Sequence, residues 1–242
     1  MDMEGEPDVT VVIPVYNEVE NLDALVDELR GVLPGVARTF EILLVDDGST
    51  DGSADKIASL ARAGLGVRGL HFRENRGQTA AFDAGFKDAR GRVVVTMDAD
   101  LQNDPRDLHA LLAPLDRFDA AVGYRTGRRD TWLRKVSSRI ANAVRNSVSG
   151  DDVIDTGCSL KAFRRESLAG LKLYAGMHRF LPTLLRIEGF RVTQVPVSHR
   201  PRSRGVSKYG VWNRVFRSSA DLLAVRWMKK RRLGYEVIRR EP

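Results

Sequence analysis

The sequence predicts an α/β fold, a mostly parallel sheet with helices on both faces, and three observations predict it. Short β-branched runs alternate with segments of helical period over residues 9–123. Residues 40–45 and 93–97 are apolar almost without a break, as strands covered on both faces are. Turn-forming, acidic clusters follow these runs, at the rim where such sheets bind ligands. With 242 residues, 43% of them hydrophobic, the chain suffices for one large domain or one domain with an extension.

Taken in order, Val9–Val15 reads as a first strand. A helix starts at residues 17–21, and Leu22, Leu25, Val26, Leu29, Val32 and Leu33 keep one face apolar. Residues 40–45 form the second strand, followed by the cap-rich turn 46–53. Residues 54–63 read as a helix, 67–72 as a third strand and 77–88 as a helix over small residues. Residues 93–97 are the fourth strand, the next helix carries Leu108, Leu111, Leu112 and Leu115, and residues 119–123 are the fifth strand. Beyond Asp155 the pattern is strand 158–164, helix 181–187 and strand 192–197, a strand–helix–strand extension.

The fourth strand runs into Asp98-Ala99-Asp100. Spacing of two places both carboxylates on one side of an extended chain. Two like charges at a buried strand end are costly without a cation between them. A hard divalent ion, Mg2+ or Mn2+, is the natural occupant. A solvated turn capping the helix after Pro105, through Asn103 or Asp104, is the alternative. Tyr16 and Glu18 follow the first strand, and Asp46 and Asp47 end the second. They suit base and ribose recognition, or else a ring packed on the sheet and two helix caps.

The net charge of +7 points to an anionic partner: nucleotide phosphates, anionic lipid or nucleic acid. Nucleic acid is disfavoured, because the basic stretches carry no interleaved stacking aromatics. Cys158 is the only cysteine, which excludes an internal disulfide and fits a reducing compartment. It reads as a buried small residue rather than a nucleophile. Residues 1–6 lack the apolar core of a secretory signal, and no apolar run reaches spanning length. His178 and His199 have no metal-ligand spacing; His178 with Arg179 reads as an active-site edge or as packing.

The ordered set Val-Ile-Pro-Val-Tyr-Asn-Glu (12–18), Val-Asp-Asp-Gly-Ser-Thr-Asp (45–51), Asn-Arg-Gly-Gln (75–78) and Asp-Ala-Asp-Leu-Gln (98–102) resembles family 2 glycosyltransferases of the GT-A fold. Within them the chain is similar to the polyprenyl-phosphate sugar transferases. The likeness continues through residues 128–135, 155–158 and 204–210. It implies a metal-dependent inverting transferase that moves a hexose-type sugar from a UDP- or GDP-linked donor to polyprenyl phosphate. Pro14, Tyr16, Glu18, Val45 and Asp47 would line the base and ribose pocket. Asp98, Ala99, Asp100 and Gln102 would hold ribose, metal and diphosphate, with the two aspartates as metal ligands. Arg125 would lie between donor and acceptor phosphates, and Arg202 and Lys208 would close over the diphosphate from a loop. Asp155 would act as a base or orient the acceptor. Arg134 and Ser138, four apart, share a helix face that suits the acceptor phosphate alongside Arg125.

Residues 1–210 are thus read as a catalytic domain, with a nucleotide-sugar half at 9–123 and an acceptor half at 124–210. Residues 211–242 form an extension. In it Trp212, Phe216, Ser219, Ala220, Leu223 and Trp227 form one helical stripe, with Val215 and Leu222 beside it, before Lys229-Lys230-Arg231-Arg232. This amphipathic helix suits an anionic membrane surface, beside a small membrane-protein partner, or packing onto the domain. The localisation expected is cytoplasmic, peripheral at the inner face of the membrane. Two other readings are a GT-A enzyme with a soluble or protein acceptor and a non-catalytic nucleotide-binding module.

Overall fold

The structure, a computed structural model, describes residues 6–64, 66–126, 151–201 and 211–233, the last without the side chains of 211–219. Seven strands form one sheet: β1 (Val9–Val15), β2 (Phe40–Asp46), β3 (Val67–His71), β4 (Val93–Thr96), β5 (Ala120–Arg125), β6 (Lys161–Arg164) and β7 (Val192–Val197). Their order is β3-β2-β1-β4-β6-β5-β7. All neighbours pair in parallel except β6, which is antiparallel to both β4 and β5. The expected strand–helix–strand extension is therefore not set apart. Its first strand is inserted into the middle of the sheet, and its second pairs with β5. Being antiparallel, β6 begins at the rim where β1, β2, β4 and β5 end.

Seven helices are described: α1 (Val19–Val32), α2 (Ser53–Arg62), α3 (Gln78–Asp88), α4 (Leu108–Leu112), α5 (Arg165–Leu168), α6 (Leu181–Ile187) and α7 (Val211–Arg231). They cover both faces of the sheet. Val11, Ile13, Ile42, Leu44 and Val95 face one core layer with Leu22, Leu25, Leu29 and Ile57. Val12, Leu43, Val45 and Val94 face the other with Ala81, Phe82, Leu181 and Leu185. Alternation within fully apolar strands thus supplies two cores at once. On the second side α3 lies close to the sheet, because Gly85 presents no side chain. A Cβ there would stand 2.3 Å from Val12 Cγ1 and 3.4 Å from Val45 Cγ2. Gly85→Ala is expected to cost about 1–3 kcal/mol, from overpacking. Urea denaturation measures this, and an unchanged midpoint would contradict it.

Helix α7 packs one side onto the domain. Val225 is buried among Met177, Phe180, Leu184 and Ile187, with Leu222 and Met228 beside it. Leu223 and Trp227, from the predicted stripe, are instead each 63% exposed. Trp212 and Phe216 lie outside the described side chains. Among the described residues no helix is long and apolar enough to cross a membrane.

Candidate active site

The strand order reverses between β1 and β4, since β2 and β3 lie on one side and the later strands on the other. Open α/β sheets bind ligands at such a crevice. A cavity of about 640 Å³ lies there, within the usual range for small-ligand sites. It is lined from β1 by Pro14, Tyr16 and Glu18, from β2 by Asp47, and beyond β4 by Asp98, Ala99, Asp100 and Gln102. Arg125 at the end of β5 completes the ring of sequence-predicted residues.

Two of those loops are stapled together. Asn17 N–H donates to Ser49 Oγ at 3.0 Å, and Thr50 N–H donates to Asn17 Oδ1 at 2.7 Å. Glu18 N–H donates to Ser53 Oγ, and Val19 N–H, at the start of α1, donates to Asp51 Oδ2. The cap-rich turn therefore caps the neighbouring loop's helix, which sequence reading did not foresee. Asp46 accepts from Ser49 N–H at 3.0 Å within the turn; it does not cap α2, which begins at Ser53 behind Gly52 with no side-chain cap. Asp47 accepts from Arg76 N–H, Gly77 N–H and Asn75 Nδ2, fastening the turn before α3. Burial raises the Asp47 pKa, and the two backbone donors oppose that rise. Gly48 makes this closeness possible: its φ is +71°, and a Cβ would lie 2.5 Å from the Glu74 carbonyl carbon.

The acidic pair shares one side, as the spacing predicts. β4 ends at Thr96, but Met97 and Ala99 remain buried in the first core layer while Asp98 and Asp100 line the cavity, and Leu101, with φ +60°, turns the chain after them. Asp98 Oδ1 accepts from Gln78 Nε2 at 2.7 Å, and Asp100 Oδ1 accepts from Gln102 N–H at 3.2 Å. Asp104, not Asn103, caps the following 3-10 turn, accepting from Arg106 N–H. Asn103 is buried and accepts from Ser159 Oγ at 2.9 Å. Arg200 N–H donates to the Gln102 carbonyl, and Gln102 Nε2 donates back to the Arg200 carbonyl. Two hard carboxylates on one wall fit Mg2+ or Mn2+. No group of three His, Cys, Asp or Glu suited to a metal occurs among the described residues. Such an ion would complete its shell with substrate oxygens and water.

Arg125 and Asp155 form a two-armed ion pair, Nε to Oδ2 at 2.7 Å and Nη2 to Oδ1 at 2.9 Å. Their side chains are 16% and 15% exposed. Burial opposes the Arg125 charge, but the Asp155 carboxylate overcomes it and raises the pKa. A Cβ on Gly157 would stand 2.9 Å from Arg125 Nη2, so that glycine leaves the guanidinium its room. Cys158 is buried, and burial pushes its thiol pKa up, against a nucleophilic role.

Some assignments fall elsewhere. The Val45 side chain is fully buried in the second core layer and does not line the cavity. Arg134, Ser138, Arg202 and Lys208 lie outside the described residues. Conversely, Gln78, Phe82 and Lys161 line the cavity without having been assigned a role. Lys161 carried a signal: a charge inside the apolar run of a buried strand. His178 and Arg179 also line the cavity. Thr79 Oγ1 lies 2.7 Å from His178 Nδ1 and accepts from Gly176 N–H. Burial, then Arg179 and Lys161, lower the His178 pKa to about 3. The neutral ring favours the folded state fully above about 6.5, and this contribution is lost as pH falls from there toward 3. The loss has a slope of up to about 1.4 kcal/mol per pH unit. His178→Gln is expected to lose less stability than wild type between pH 7 and 5, by up to about 2 kcal/mol. Parallel urea curves at both pH values would contradict this.

The model of the glycosyl transferase family 2 domain matches residues 10–171. The chain belongs to that family. Among family members, the dodecaprenyl-phosphate galacturonate synthase of Rhizobium johnstonii is 39% identical over 224 residues, covering 90% of this chain and 66% of the relative. The undecaprenyl-phosphate 4-deoxy-4-formamido-L-arabinose transferase of Aeromonas hydrophila is 37% identical over 205 residues, covering 84% and 63%. The chain thus spans slightly under two thirds of these relatives' length. The fold matches a mannosyltransferase of Pyrobaculum calidifontis solved with GDP-Man and Mn2+, with TM-score 0.66, 24% identity and coverage of 97% and 67%. It also matches Mycobacterium tuberculosis glucosyl-3-phosphoglycerate synthase solved with Mn2+, UDP and glucosyl-3-phosphoglycerate, with TM-score 0.65, 18% identity and coverage of 92% and 80%. This family 2 chain therefore has the GT-A fold read from its sequence.

Proposed function

We propose that the protein is a metal-dependent, inverting glycosyltransferase that moves a sugar from a nucleoside diphosphate to polyprenyl phosphate. The observation that carries the reading is one cavity, at the sheet's switch point, lined by both the β1 and β2 loops and the Asp98–Asp100 pair. The relatives named as polyprenyl-phosphate transferases support the acceptor class. Pro14, Tyr16, Glu18 and Asp47 hold the base and ribose side. Asp98, Asp100 and Gln102 hold the metal and diphosphate. When bound, Mg2+ or Mn2+ supplies charge neutralisation to the departing diphosphate. Arg125, fixed by Asp155, adds a positive charge aimed at phosphate oxygens. An acceptor phosphate oxygen forms the new bond to the anomeric carbon as the bond to the diphosphate breaks on the opposite side, which inverts that carbon. A phosphate monoester has a second pKa near ~6 and is already anionic at neutral pH. Asp155, with both oxygens held by Arg125, then serves as an orienting group rather than a base.

Arg202 and Lys208 extend this reading as diphosphate ligands, and Arg134 and Ser138 as acceptor-phosphate ligands. Helix α7 extends it to the membrane: Leu223 and Trp227 are exposed beside Arg226, Lys229, Lys230 and Arg231, a pattern that suits an anionic interface. The deciding experiment supplies UDP- and GDP-sugars with Mn2+ and undecaprenyl phosphate, and scores sugar in the organic phase. Label that enters only water-soluble product points to a soluble acceptor and overturns the lipid assignment. Arg134→Ala is expected to keep nucleotide affinity while lipid transfer falls at least about tenfold. A loss confined to nucleotide affinity contradicts the acceptor role.

A further inference from the structure

One cation in the cavity has no part in the reaction just described. Lys161 opens β6 and is 4% exposed, yet it lines the cavity. Its Nζ donates to the Cys158 carbonyl, the one hydrogen bond the ammonium makes among the described residues. An ammonium carries three donors, so two remain for a further partner at the cavity wall. A buried ammonium with one hydrogen bond is costly: burial pushes the Lys161 pKa down, and the Asp98 and Asp155 carboxylates within electrostatic reach only partly oppose that. An oxyanion brought by a ligand would remove that cost.

On the side away from Asp98 and Asp155, the neighbours of Lys161 are a neutral ring and a second cation. Burial first, then Arg179 and Lys161, lower the His178 pKa, so the ring is neutral. Thr79 fixes that ring by its hydrogen bond, and Phe82 packs on it with centroids 6.1 Å apart. The cavity thus has a wall with two cations about a neutral imidazole. Which substrate oxyanion arrives there follows from position. Lys161 pairs in register with Thr96, two residues before Asp98, so it stands beside the wall that holds the diphosphate. On the donor reading, a diphosphate held at Asp98 and Asp100 would carry its sugar within reach of this neighbouring wall.

Resting on the donor reading above, we infer that Lys161 and Arg179 receive a carboxylate on the donor sugar, so that the substrate class is a nucleoside-diphosphate hexuronic acid. A charged pair of this kind rejects the uncharged counterpart, because the hexose leaves the buried ammonium without its partner.

Calorimetric titration of the protein with Mn2+ tests this. UDP and GDP alone first identify the base. The matched uronic acid and hexose on that nucleotide, such as UDP-galacturonic acid and UDP-galactose, are then compared. The uronic acid is expected to bind about tenfold more tightly. In Lys161→Met and in Arg179→Gln the preference shrinks, with the loss falling on the uronic acid. Binding of neither nucleotide overturns the transferase reading and this inference with it. Nucleotide binding with equal affinity for uronic acid and hexose overturns the inference alone. So does a variant that weakens both sugars equally, or one that weakens farnesyl phosphate, a short polyprenyl phosphate, and leaves the uronic acid preference intact. If the buried Lys161→Met variant fails to fold, the wild-type comparison and Arg179→Gln decide between the same outcomes.

Discussion

Asp100→Ala is expected to lower turnover by about 10³-fold or more, while the fold persists. The aspartate sits in a bend beyond β4, outside both core layers, so its removal creates no buried void. What it removes is half of the acidic pair that lines the cavity and the anchor of Gln102 N–H at 3.2 Å. Leaving-group charge in phosphate departure is stabilised chiefly by cations fixed in advance, and losses of this order follow when their support goes. Asp98→Asn should fall short of that loss, since an amide keeps the bond to Gln78 and one neutral oxygen donor. The check is steady-state release of nucleoside diphosphate, with the thermal melt as a control for folding. Turnover within a few-fold of wild type in Asp100→Ala would remove the metal from the mechanism.

The second large effect concerns Arg125 and Asp155. Arg125→Met is expected to cost about 10²–10³ in kcat/KM by withdrawing a fixed positive charge from the phosphates. Asp155→Asn should cost nearly as much, because the guanidinium then loses the partner that holds both its arms. The pairing makes a further, sharper statement: the double variant should be little worse than either single one, because the two residues act as a unit. If Asp155 were instead a base acting independently of Arg125, the two losses would multiply. Asp155→Asn would also flatten the acid limb of the pH profile while Arg125→Met kept it. Breaking one partner of this part-buried pair also lowers stability, so both variants are best assayed well below their melting temperatures.

The order of strands and helices was legible because periodicity reports burial directly. Apolar runs such as residues 40–45 have core on both faces, and α1 shows its stripe in sequence. The insertion of β6 between β4 and β5 was not legible, since a four-residue strand carries no mark of its direction or its partners. That insertion is what places Lys161 and the 155–158 turn at the active rim. The acidic pair and the β1 and β2 loops could be gathered on paper because parallel strands share one end. Val45 was misplaced by the same logic: its motif neighbours reach the rim, but its own side chain points into the core under α3. The Asp51-to-Val19 cap and the Asp47 clasp on residues 75–77 join segments far apart in sequence, and local turn chemistry gives no hint of a distant recipient.

The most direct measurement is calorimetric titration of the wild-type protein with UDP and with GDP, each with Mn2+ and again with a chelator. If Asp98 and Asp100 hold a metal that neutralises the diphosphate, one nucleotide is expected to bind in a one-to-one complex and the chelator to weaken it at least about tenfold. Nucleotide affinity that is the same with and without the metal, or no binding of either nucleotide, would contradict it.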